Sequence, residues 1–150
     1  MIFESFLIAF GTTLIFWVSL YVLSLFISDS SIADVGWGLS PAITSIVLLL
    51  ILSPQGITPM LVGLMIIIWG IRLAVHIGSR KIGKPEDWRY QNWRKQWGTN
   101  FKFTSLYRIF GLQGLLSFII ALPIVVVAGQ SEDMPLQPLV MLGIIIWFLG

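Results

Sequence analysis

Residues 35–71, VGWGLSPAITSIVLLLILSPQGITPMLVGLMIIIWGI, carry no formal charge. A helix needs about 20 predominantly apolar residues to cross the ~30 Å hydrocarbon core of a bilayer. This run is long enough for two such helices. Ser53-Pro54-Gln55-Gly56 and Pro59 place a turn signal at its middle. In hydrocarbon only helices and closed barrels satisfy their backbone polar groups. The apolar residues here are continuous rather than alternating, which favours helices. The stretch therefore reads as two spanning helices joined by a tight turn.

The same pattern extends outward. Residues 5–28, 109–131 and 134–150 are also free of charge. Helices are expected near 4–27, 36–52, 58–79, 106–129 and 136–150. The expected fold class is an all-α, multi-pass transmembrane bundle with four complete spans and the start of a fifth. The fifth run has only fifteen residues and no polar flank, so 1–150 is expected to be a single membrane domain, the front portion of a longer one. The first run lacks a basic leader and a small-x-small cleavage site, so it reads as a span rather than a signal peptide. Overall, 57% of residues are hydrophobic and 11% charged, against about 25% charged in soluble domains. That composition excludes a water-soluble globule and a disordered chain. The chain has no cysteine, which excludes a disulfide scaffold, a thiolate metal site and a cysteine nucleophile.

All nine basic residues fall between Arg72 and Arg108, a window that also holds Glu86 and Asp87 and so carries a net +7. The flanks hold five acids and no base. By the positive-inside rule the 80–105 segment is cytoplasmic and the N-terminus lies outside. The expected location is the plasma membrane of a bacterium.

Four places carry residues able to do chemistry. Asp34-Val-Gly-Trp-Gly-Leu-Ser-Pro41 puts a carboxylate at the mouth of the second helix, which reads either as an N-cap or as a functional acid beside hydrocarbon. On the third helix Trp69, Arg72, His76 and Arg80 share one stripe at about 100° per residue. That stripe reads either as the lining of a polar cavity, with an Asp34–Arg72 pair, or as snorkelling basic residues. The loop Arg80-Lys81-Ile82-Gly83-Lys84-Pro85-Glu86-Asp87-Trp88-Arg89-Tyr90 suits a phosphate-bearing ligand. It equally suits a topogenic loop resting on anionic lipid. Past it, Tyr90, Trp93, Trp97 and Phe101 fall on one face of an interfacial amphipathic helix, expected to lie aromatics down in the membrane. Basic and aromatic residues together also suit nucleic-acid bases, but the surrounding spans argue for no nucleic acid. One histidine and no cysteine argue for no metal.

Taken in order, Asp34-Val-Gly-Trp-Gly-Leu, Ile68-Trp-Gly-Ile-Arg-Leu-x-x-His-Ile77, Gly83-Lys-x-Glu-Asp-x-Arg-Tyr90 with Trp93-Arg94, and Leu112-Gln-Gly114 resemble an uncharacterised bacterial membrane family related to the steroid 5-alpha-reductases. The resemblance covers nearly all of the chain from Asp34 onward. It implies NADPH as cofactor and a lipophilic enone substrate, with membrane lipid as surroundings. It implies a catalytic role for Asp34, at the place of an acid that holds the substrate ketone. Trp69 or His76 lies near the place of a second, polar aromatic residue. Arg80, Lys81, Lys84 and Arg89 would hold cofactor phosphates. It also implies that most cofactor contacts belong to a later Ser-Arg-His-Pro-Asn-Tyr segment, absent from these residues. Two other readings stand beside it: a non-enzymatic membrane module acting through its basic loop, and an S-adenosylmethionine-dependent methyltransferase relative.

Overall fold

The computed structural model describes residues 1–130 and 138–149, and every regular element among them is helical. Helices α1 (Ile2–Ile27), α2 (Ile32–Leu52) and α3 (Ile57–Lys81) are each long and apolar enough to span a membrane. A fourth helical run, Trp88–Ala128, is too. It consists of α4 (Trp88–Trp97), one 3₁₀ turn, α5 (Phe101–Ser105), a π-helical segment (Leu106–Gly111) and α6 (Leu112–Ala128). Helix α7 (Pro138–Leu149) has 12 residues, or ~18 Å at 1.5 Å per residue, shorter than a span. The protein is thus an all-α, multi-pass membrane bundle with four long apolar spans and a fifth, shorter helix. The acidic residues 132–133, expected in a loop, lie outside the described residues.

The turns form where the sequence signals them. Ser28 closes α1 in the left-handed conformation at φ 55°. Ser53 does the same for α2 at φ 43°, its amide bonding back to the Leu49 carbonyl at 3.2 Å. Gly56, at φ 97°, then admits the chain to α3.

Helix α2 packs against α1, α3 and α6, and α6 also packs on α1 and α3. Small residues permit this. Gly38 on α2 and Gly70 on α3 face each other so closely that a methyl group on either would strike the other's carbonyl oxygen. Membrane helices have little hydrophobic drive to associate, so close backbone approach matters more than in water. On the opposite side of α2, Trp17 of α1 is wedged between Gly36 and Gly114 of α6. Its indole N–H donates to the Ser40 hydroxyl at 3.1 Å. The Leu112-Gln-Gly114 motif is therefore a seat for Trp17.

Two differences from the sequence reading concern the basic segment. The amphipathic helix expected after the third span exists as α4, but it runs on into the fourth span through a tightened turn at Gly98–Asn100. Its aromatic face also points inward. Tyr90 and Phe101 are buried, and Tyr90 joins a cluster with Trp17, Ala33, Ile109 and Phe110. Trp93 and Trp97 stack at 5.7 Å between Tyr90 and Phe101. The periodicity marks an apolar face, and the protein's own aromatic cluster covers much of it instead of lipid.

Candidate functional site at the basic end of the bundle

The loops at the basic end are stapled together by ion pairs. Between α1 and α2, Asp29 accepts from the Lys81 ammonium at 2.6 Å, and Lys81 also donates to the Ser31 hydroxyl. Glu86 accepts from the Ser30 amide at 2.8 Å and from both the Nε and Nη2 of Arg94. The Ser31 hydroxyl in turn accepts from the Asp87 amide at 3.3 Å. Burial alone would raise the Asp29 carboxyl. The bonds from Lys81 and Ser31 outweigh it and hold the group below its ordinary value. The Arg89 guanidinium does the same for Asp87.

Asp34 sits in the first turn of α2. It does not cap its own helix: the N-cap residue is Ser31, and Asp34 reaches outward instead. Its Oδ2 accepts from Arg89 at 2.9 Å and its Oδ1 from the Tyr90 hydroxyl at 2.7 Å. The expected Asp34–Arg72 pair is absent, and the reason is axial position. Lys81 lies level with Asp29, so the α3 residues level with Asp34 are close to His76. Arg72 lies a further turn away. It is exposed and has no ion pair among the described residues. Arg72→Leu is accordingly expected to change the unfolding midpoint little, corresponding to within about 0.5 kcal/mol. A large loss of thermal stability in purified protein would show that Arg72 has a partner.

A cavity of about 480 Å³ opens where α2, α3 and the loop after α3 meet. Its lining includes Asp34, His76, Arg80, Lys81, Lys84 and Arg89, so six of the seven residues singled out from sequence share one space. Trp37 forms part of its wall. The seventh, Trp69, does not reach it. Trp69 borders a separate groove of about 290 Å³ with Arg72, Leu73 and His76. His76 is the residue common to both spaces.

The cations at this cavity are not equivalent. Lys81 is engaged by Asp29 and Ser31, and Arg89 by Asp34 and Asp87. Arg80 and Lys84 are exposed and have no ion pair among the described residues. Gly83, at φ 72°, turns the chain between Lys81 and Lys84 and sets Lys84 back over the cavity. The roles of two residues escaped the sequence reading. Tyr90 was read as one of a row of aromatic rings and as the end of the Gly83–Tyr90 motif, and Trp37 as part of the Asp34–Leu39 motif, neither with a role of its own. No group of three histidine or acidic side chains is placed to hold a metal among the described residues.

A family model described as Protein of unknown function (DUF1295) matches residues 20–150, most of the chain. No curated protein and no solved structure matches it. The chain belongs to the DUF1295 family.

Proposed function

We propose that this DUF1295 member uses the cavity at its basic end to seat the phosphates of an anionic ligand, and that the ligand is NADPH, serving reduction of a lipophilic enone. The observation that carries the reading is Arg80 and Lys84, two cations without an ion pair among the described residues, on a cavity whose other cations are already matched by carboxylates. Guanidinium and ammonium groups are the side chains that bind phosphate best. The volume of about 480 Å³ falls within the ~300–1,000 Å³ typical of small-molecule sites. The donor set therefore fits a phosphate group. By the positive-inside rule this end faces the cytoplasm, where such cofactors are found.

Bound NADPH supplies a hydride for the beta carbon of an enone. The remaining roles belong to the chain. Arg80 and Lys84 hold phosphate, while Lys81 and Arg89 fix the loop that presents them. Asp34 accepts from Arg89 and Tyr90, which hold it at the cavity wall. His76 borders both the cavity and the Trp69 groove. It is placed to donate to a substrate carbonyl and stabilise the negative charge that develops there. The departure from the sequence reading is that Asp34 acts as an acceptor within a network, and His76 takes the donor's part.

Titration of purified protein with NADPH tests this. Inorganic pyrophosphate should compete. Lys84→Glu should weaken binding by about tenfold, the scale of one charge-assisted contact. Lys102→Glu, on α5 away from the cavity, should leave it nearly unchanged. Equal losses from the two changes would reduce the loop to bulk positive charge. Failure of pyrophosphate to compete would reject the phosphate seat. Binding of S-adenosylmethionine with no binding of NADPH would favour the methyltransferase reading.

A further inference from the structure

The π-helical segment Leu106–Gly111 has a space on each side of it. On one side is a pocket of about 460 Å³ walled by Trp93, Trp97, Tyr107 and Arg108. On the other is a groove of about 330 Å³ between α1 and α6, lined by Phe10, Leu14, Val18, Leu115 and Phe118. Tyr107 borders both. The phosphate seat described above touches neither.

The two spaces differ in chemistry in the way the two ends of a lipid differ. The pocket holds a cation: the Arg108 guanidinium lies 5.9 Å from the Trp97 ring and 5.9 Å from the Tyr107 ring. Arg108 is exposed and has no ion pair among the described residues. The groove is almost wholly apolar. Dimensions agree as well. From Arg108 to Phe118 is ten residues, or ~15 Å along a helix. That is about half of the ~30 Å hydrocarbon core, the depth of one leaflet. Tryptophan and tyrosine beside an arginine is the composition that settles at the headgroup level. A π-turn inside a long helix commonly marks a functional site. Here it turns Arg108 toward the pocket and Phe110 toward the bundle core.

We propose that this is a binding site for one anionic phospholipid of the leaflet at the basic end. Its phosphate head lies against Arg108 between Trp97 and Tyr107, and one acyl chain lies in the α1–α6 groove. The proposal is independent of the function assigned to the cavity beside Asp34, and no step of it involves Arg80 or Lys84.

Native mass spectrometry of delipidated protein, given phosphatidylglycerol or phosphatidylcholine, tests it. One phosphatidylglycerol should be retained with about fivefold preference, the worth of a single arginine near an anionic surface. Arg108→Gln should abolish the preference, whereas Lys102→Gln, a nearby cation outside the pocket, should keep it. Leu14→Trp fills the groove from the other helix and should lower retention of both lipids. Because Arg108 has no ion pair among the described residues, its replacement should leave the helical circular dichroism spectrum unchanged. Equal retention of the two lipids by the wild type would overturn the proposal. So would equal loss of preference from the Arg108 and Lys102 changes, or a groove-filled variant that retains lipid as the wild type does.

Discussion

Gly38→Val is expected to abolish the α2–α3 seam and with it most of the folded protein recovered from membranes. The glycine hydrogen faces the Gly70 carbonyl oxygen, and a Cβ there would also crowd the Ala74 amide. Both obstacles are backbone atoms of α3, so no side chain can rotate away. Overpacking a well-filled core costs about 1–3 kcal/mol where neighbours can adjust; here the helices themselves must separate, which places the cost at or above the top of that range. Separation would also carry α3 away from Asp34 and open the cavity at the basic end. Gly78→Ala is the matched control, because a Cβ at Gly78 meets nothing within 4 Å. Thermal unfolding in detergent should show a large downward shift for Gly38→Val and almost none for Gly78→Ala. Similar midpoints would mean that the two helices have freedom to part.

The second large effect is expected at Asp34. Asp34→Ala removes the acceptor of both the Arg89 guanidinium and the Tyr90 hydroxyl. The two partners suffer differently. The Arg89 side chain is 47% exposed, so water and Asp87 take over its bonds. Tyr90 is 1% exposed, and its hydroxyl loses its carboxylate partner in the buried aromatic cluster, with only the Gln113 side chain left beside it. Leaving a buried donor short of its acceptor costs about 1–3 kcal/mol. Tyr90→Phe should cost less, because it removes the donor as well. The double change should cost less than the two single changes added together, since residues in one network are not additive. Strict additivity in that cycle would show that the Asp34–Tyr90 bond contributes nothing to stability.

The spans were legible from composition because the membrane imposes a constraint that composition alone reveals. Three uncharged runs hold the four spanning helices, the long run 35–71 supplying two, with ends displaced by a few residues except at the fourth. There the helix expected from 106 begins at Trp88, because the chain tightens to one 3₁₀ turn at Gly98–Asn100 and keeps its helical path. The gathering of His76, Arg80, Lys81 and Lys84 near Asp34 was also legible, because one helix end and the loop after it must lie beside the start of α2. What spacing could not show was pairing. An axial stripe places Arg72 on the same face as His76 but says nothing of which turn meets Asp34. The partners actually chosen, Lys81 with Asp29 and Arg89 with Asp34, are 52 and 55 residues apart. They depend on the path of the loop through Gly83 and Pro85. Tyr90 was hidden for a related reason: its ring follows the period of Trp93 and Trp97, while its hydroxyl answers to an acid 56 residues away.

The phosphate seat proposed for Arg80 and Lys84 is open to a direct test by lysine reactivity. Purified protein is treated with an amine-acylating reagent across a series of inorganic pyrophosphate concentrations, and modification of each lysine is followed by mass spectrometry. Lys84 should lose reactivity as pyrophosphate rises, while Lys95 and Lys102, which do not line the cavity, keep theirs. Protection spread evenly over Lys84, Lys95 and Lys102, or no protection of Lys84 at any concentration, would rule out the phosphate seat.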